Sequence, residues 1–180
     1  LVSISKDPDV VTVAQRVAFS GLISLGDTTV NFIGEGIDPV REAVISDQIH
    51  IRDGRNLESS VERSALLGEG LAKTLTAKPG DKIVVLATAA NGTPNAIEVT
   101  VVGTFFTSAK EFDDAALRLP IQLTQKLMRI SGSTSWIVLL KDTDQTARVV
   151  SKLRSTLLAD KFEVVPWIDL ADFYKKTVAL

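Results

Sequence analysis

The sequence predicts an α+β protein: a discontinuous α+β lobe, made of a strand pair and a strand–helix–strand unit, with a small β-rich lobe inserted into it. Three observations predict it. Apolar residues fall on alternate positions over residues 10–25, the period of a strand covered on one face. Between about residues 45 and 130, short apolar runs are punctuated by Gly- and Pro-containing turns. From residue 134 a continuous apolar run leads into apolar residues at three- and four-residue steps. On this reading residues 1–44 and 131–180 form the outer lobe and residues 45–130 the insertion.

Taken in order, Val11, Val13, Val17, Phe19, Ile23 and Leu25 line one side of a long strand whose other side is small or polar. Gly26-Asp27 turns the chain, and Thr29 to Ile33 return as an antiparallel second strand that Gly34-Glu35-Gly36 ends. Asp38-Pro39 opens a short helix through Glu42. In the middle section, Ile49 and Ile51 alternate with polar neighbours before Asp53-Gly54. Ala65 to Leu67 form a brief buried strand running into a helix from Glu69 to Leu75. Lys78-Pro79-Gly80-Asp81 is a turn, after which Lys82–Thr88 and Ala96–Phe106 pair across a polar loop over Asn91 to Asn95. Ala116 to Leu119 form another strand, and Pro120 starts a helix with Leu123 and Leu127 on one face.

Towards the end of the chain, the run Trp136 to Leu140 predicts a strand buried on both faces. Asp142 and Gln145 mark a helix start. The helix turns Val149, Val150, Leu153 and Leu157 inward and Arg148, Lys152 and Arg154 away. Phe162, Val164 and Val165 predict a returning strand, stopped by Pro166, and a final amphipathic helix carries Trp167, Leu170, Phe173, Tyr174 and Val178.

The composition, 45% hydrophobic and 23% charged, is that of a chain able to bury a core. The net charge of −2 is spread along the sequence, so there is no basic stripe of the kind nucleic acid or an anionic lipid surface selects. Cysteine is absent, which excludes disulfides and thiol chemistry. The chain opens at Leu1 and its single methionine is Met128, from which we expect a segment N-terminal to it to have been removed. No stretch reaches the ~18–20 consecutive apolar residues of a membrane span.

Each pattern that hints at chemistry has a plainer account. His50 is the single histidine, which excludes His-pair metal sites, and it sits between Ile49 and Ile51 in a predicted strand. Gly34-Glu35-Gly36 and Gly68-Glu69-Gly70 suggest phosphate loops, but both lack the rest of the fingerprint and put a carboxylate where the anion would sit. Positive φ or close backbone approach explains these glycines better. Glu111, Asp113 and Asp114 form the densest acidic cluster, without the alternating ligands of a calcium loop. Asp142 and Asp144 suit a helix start, and Asn91-Gly92-Thr93 matches a glycosylation acceptor with no secretory context. We therefore assign no catalytic, cofactor-binding or metal-binding residue.

Three stretches in order, Ser64 to Leu75 (SALLGEGLAKTL), Lys78 to Leu86 (KPGDKIVVL) and Val99 to Phe105 (VTVVGTF), carry a resemblance. Together with Glu111-Phe112-Asp113, Leu119-Pro120, Val138 to Asp142 and Val165 to Leu170, they resemble the MacB-like periplasmic core domain of ABC-transporter permeases, a group that includes lipoprotein-releasing and FtsX-like permeases. The resemblance covers most of the chain and rests on order and spacing more than on any single motif.

It implies an extracytoplasmic domain on the periplasmic side of the bacterial inner membrane, held between two transmembrane helices. It implies a second permease copy or paralogue as partner, ATP hydrolysis in a separate cytoplasmic domain or subunit, and a periplasmic adaptor or lipoprotein as a further partner class. The residues themselves agree at the C-terminus, where Trp167, Phe173, Tyr174, Lys175 and Lys176 are types that settle at a membrane–water boundary, although an ordinary amphipathic helix has the same pattern. The alternative is a free-standing periplasmic binding or hydrolytic protein with a cleft between its lobes. That protein would show a deep pocket with convergent polar groups, and would lose turnover on substitution of Glu111 or Asp113. The permease domain would have its chain ends close together.

Overall fold

The structure, a computed structural model, describes residues 4–45, 49–58 and 63–170. Strand β1 (Val10–Leu25) fills the predicted run, and Gly26, at φ +57°, turns it into β2 (Thr28–Ile37). Leu25 lies opposite Thr28, so two residues make the turn, and the first needs the positive φ that glycine adopts without strain. The expected end of this strand at Gly34 is corrected: β2 continues to Ile37 because Ile33 to Ile37 pair in parallel with Ala116 to Pro120. Helix α1 (Pro39–Ile45) follows, with Asp38 Oδ1 accepting from the backbone N–H groups of Val40 (3.1 Å) and Arg41 (3.3 Å).

The middle of the chain forms β3 (His50–Gly54), β4 (Ser64–Gly68), α2 (Glu69–Leu75), β5 (Lys82–Thr88) and β6 (Pro94–Phe106). A short helix α3 (Lys110–Asp113), which the sequence did not announce, precedes β7 (Ala116–Pro120) and α4 (Ile121–Met128). Strand β8 (Ser135–Leu140) completes one eight-stranded sheet in the order β2-β7-β4-β6-β5-β1-β8, with β3 joined to β6. Because β2 pairs with both β7 and β1, the six strands β1, β2, β7, β4, β6 and β5 close into a ring. Within it β4–β6 and β7–β2 are parallel and the other pairings antiparallel.

Alternation along the ring strands sends one set of side chains into a common core: Ile23, Phe32, Leu67, Ile83, Val99 and Leu117, joined by Leu71 and Leu75 of α2 and by Leu123 and Leu127 of α4. Their neighbours face the other way, and where something covers them a second cluster forms from Ile37, Leu57, Leu66, Phe105 and Ala116. Strand β4 contributes to both, which is why all five of its residues are buried.

Contacts group the chain into two compact units, residues 14–137, and residues 1–13 with 138–180. The β2–β7 pairing holds the paired part of the first hairpin, residues 16–37, within the 14–137 unit. The other unit contains the 3-10 turn Ile4–Lys6, helix α5 (Thr146–Thr156), started by Asp142 accepting from the Asp144 N–H at 3.0 Å, and helix α6 (Trp167–Leu170).

Three expectations here are corrected. Trp136 to Leu140 are half-buried rather than covered on both faces. Phe162 to Val165 form no strand, and Phe162 and Val165 are 39% and 43% exposed. Arg148 and Lys152 do not simply face away from the fold but pair with acidic residues that precede β1. The helix expected beyond Leu170, with Phe173, Tyr174 and Val178, and the expected proximity of the chain ends lie outside the described residues.

Candidate functional site

Charged side chains of the 14–137 unit meet in groups of three or more at two places among the described residues. On the outward side of the ring, β1 supplies Arg16, β2 Glu35, β7 Arg118 and α1 Glu42. Arg118 Nη2 donates to Glu35 at 2.8 Å and stands 4.0 Å from Glu42, while Arg16 pairs with Glu42 and lies 3.5 Å from Glu35. Glu42 and Arg118 are 4% and 6% exposed, so this network of two cations and two anions has a buried half, with Arg16 and Glu35 half-buried beside it. Burial pulls the Arg118 guanidinium down from its ordinary value, opposed by Glu35 and Glu42, and its face lies over the Phe105 ring at 5.8 Å. With charges balanced, the network fastens α1 to the ring, and within it Arg118 Nε is buried without a hydrogen-bond partner.

The second gathering lines an open depression of about 570 Å³ beside α2, with Arg52, Asp53, Glu69, Lys73, Lys78 and Thr104 on its walls. Lys73 Nζ donates to Glu69 at 2.6 Å and Arg52 stands 3.6 Å from the same carboxylate. The Lys73 hydrogen bond holds the Glu69 carboxyl below its ordinary value against the opposing effect of burial. Asp53 accepts from the Thr104 hydroxyl at 3.4 Å. These pairs turn Arg52, Glu69 and Lys73, and Asp53 and Thr104, towards one another along the depression.

The sequence-flagged residues are accounted for in the same way. His50 is exposed at the start of β3, with its ring 5.2 Å from that of Phe106. A Cβ on Gly34 would meet the Phe19 ring at 2.5 Å, and one on Gly36 would meet Thr124 of α4 at 2.5 Å, so both glycines admit close packing. Gly68 and Gly70 do the same for α3, with the Asp113 carbonyl and the Asp114 carboxylate where a Cβ would stand. The acidic cluster is divided: Asp113 accepts from the Thr107 backbone N–H and hydroxyl, both at 2.9 Å, while Asp114 pairs with Lys110 at 2.8 Å. Asn91 Oδ1 closes its own turn by accepting from Thr93. Among the described residues no group of three or more His, Cys, Asp or Glu side chains is placed to hold a metal ion.

In the other unit, Asp7 and Asp9 meet Arg148 and Lys152 of α5. This cluster is not legible in the sequence, because about 140 residues separate its two halves. Among the described residues no helix is long and apolar enough to cross a membrane.

Residues 1–156 match the sequence profile of the MacB-like periplasmic core domain. No curated protein matches the chain significantly. The fold is similar to that of the extracellular domain of the ABC-type transporter YknZ from Gram-positive bacteria, with a TM-score of 0.63 and 16% identity over 82% of this chain and 74% of that one. It is also similar to the periplasmic region of MacB from Actinobacillus actinomycetemcomitans, with a TM-score of 0.62 and 17% identity over 86% and 71% of the two chains.

Proposed function

The chain belongs to the family of MacB-like periplasmic core domains, and from that premise we propose that it couples ATP-driven motion of a permease's transmembrane helices to a substrate or partner outside the cytoplasm. The family match over residues 1–156 is the observation that carries this reading. The geometry supports it in a second way. A ring filled with apolar side chains, whose buried charges are paired internally, suits a part that transmits displacement better than one that performs chemistry. ATP hydrolysis then belongs to a separate cytoplasmic domain or subunit, and the partners are a second permease copy or paralogue and a periplasmic adaptor or lipoprotein. Export and lipoprotein release both fit this role.

Reading the coding frame on either side of the segment is the first test. Hydrophobic spans of ~20 residues flanking it are expected, whereas a cleavable leader upstream and a stop directly after Leu180 would overturn the proposal. The chain itself has no cysteine, so once any cysteines elsewhere in the assembled transporter are replaced, a single introduced thiol is a clean reporter. A fluorophore at Ser20, exposed on β1, should change its environment on ATP addition. An unchanged signal in every nucleotide state, in a protein that transports, would also overturn it.

A further inference from the structure

We propose that Asp7 and Asp9, paired with Arg148 and Lys152, form a two-point clasp that makes the segment leading into β1 and helix α5 move as one body. Asp7 is 8% exposed and uses both carboxylate oxygens. Oδ1 accepts from the Asp9 backbone N–H at 3.1 Å and faces Arg148 Nη2 at 3.3 Å, while Oδ2 accepts from Lys152 Nζ at 2.7 Å. Asp9 makes a second ion pair with Arg148, and its carbonyl accepts from the Lys141 N–H at 2.9 Å. Arg148 and Lys152 stand one helical turn apart on one face of α5, so two cations present themselves to two carboxylates spaced two residues apart. Gln145 Oε1, accepting from Arg148 Nε at 3.2 Å, steadies the guanidinium.

The clasp stands where apolar packing is thin. Helix α5 buries only Val149, and the lead-in segment buries Ile4 ahead of Asp7. Without the ion pairs, little would stop the helix sliding along that segment. Asp7 stays ionised at any physiological pH, since Lys152 chiefly, then the Asp9 N–H and Arg148, hold its carboxyl near 2. The clasp is therefore a permanent fastening and not a pH switch.

This inference rests on the proposed permease role for its consequence but not for its existence, and the test separates the two. Amide exchange is measured on the protein with its flanking segments, as wild type, Asp7→Asn, and Asp7→Cys/Lys152→Cys bridged by a short bismaleimide. In Asp7→Asn, exchange in residues 4–9 and 146–156 should rise together by about tenfold, and the bridge should restore protection in both. A rise in one segment alone, or in neither, would show that no clasp exists. In the assembled transporter, Asp7→Asn should lower transport per ATP hydrolysed by about fivefold or more, with the bridged variant recovering it. Unchanged coupling alongside raised exchange would overturn the mechanical role. If Asp7→Asn does not fold, the bridged variant decides: wild-type exchange and coupling uphold the clasp, and loss of either rejects it. A wild-type protein without ATP-driven motion would fail the permease reading while leaving the exchange result to stand.

Discussion

Glu42 is the one side chain that α1 buries, while Val40 and Val44 of the same helix are 62% and 55% exposed. Removing that carboxylate leaves Arg118 surrounded by apolar side chains with one anion fewer, so Glu42→Ala should cost about 3–5 kcal/mol in urea unfolding. Replacing Glu42 and Arg118 together with Leu and Met should recover much of that loss, because no charge is then stranded. Asp7 makes a prediction in pH. Its carboxyl lies at about 2 in the folded chain against an ordinary 3.8, so the unfolded chain takes up the proton first as pH falls. Its contribution is complete above about pH 4 and is lost between about 4 and 2. Unfolding midpoints measured across that window should fall less steeply for Asp7→Asn than for wild type.

The glycines of β2 and β4 sit at tight joints between elements. Gly36→Ala pushes a methyl against Thr124 of α4, and Gly68→Ala pushes one against the Asp113 carbonyl. Each should destabilise by about 1–3 kcal/mol, with Gly68→Ala the worse because backbone yields less readily than a side chain. Elements were legible wherever their period was set locally. β1 reads correctly because one face of a long strand is covered by the core, giving Val13, Val17, Phe19 and Ile23 buried in strict alternation. Its exceptions, exposed Val11 and buried Val10 and Ala14, lie towards its start. The end of β2 was hidden because its partner β7 lies some 80 residues further on, and two glycines there look like a stop when no such partner is in view. Phe162 to Val165 failed in the opposite sense: β-forming residues without a neighbouring strand to pair with remain irregular.

At the scale of the whole chain, family and fold class were legible from ordered, degenerate stretches, whereas the charge clusters were not. Composition reports how many Arg and Glu a chain has but not which of them a closed sheet brings together, and Arg118 with Glu35 and Arg148 with Asp7 are pairs made only by the fold. The same long-range pairing should make folding slow. β2–β7 and β4–β6 join segments far apart in sequence, so stopped-flow refolding should fall in the millisecond-to-second range, and a microsecond phase carrying the full amplitude would contradict the ring. The ring also bears on how the molecule carries load. β1 is flanked by β2 over ten paired positions and by β5 over four, so over residues 21–24 tension along it is borne in shear by both of these ladders at once. A strand with an open flank can be peeled one bond at a time; over residues 21–24 β1 has none, and under tension those positions should be the last of the strand to part.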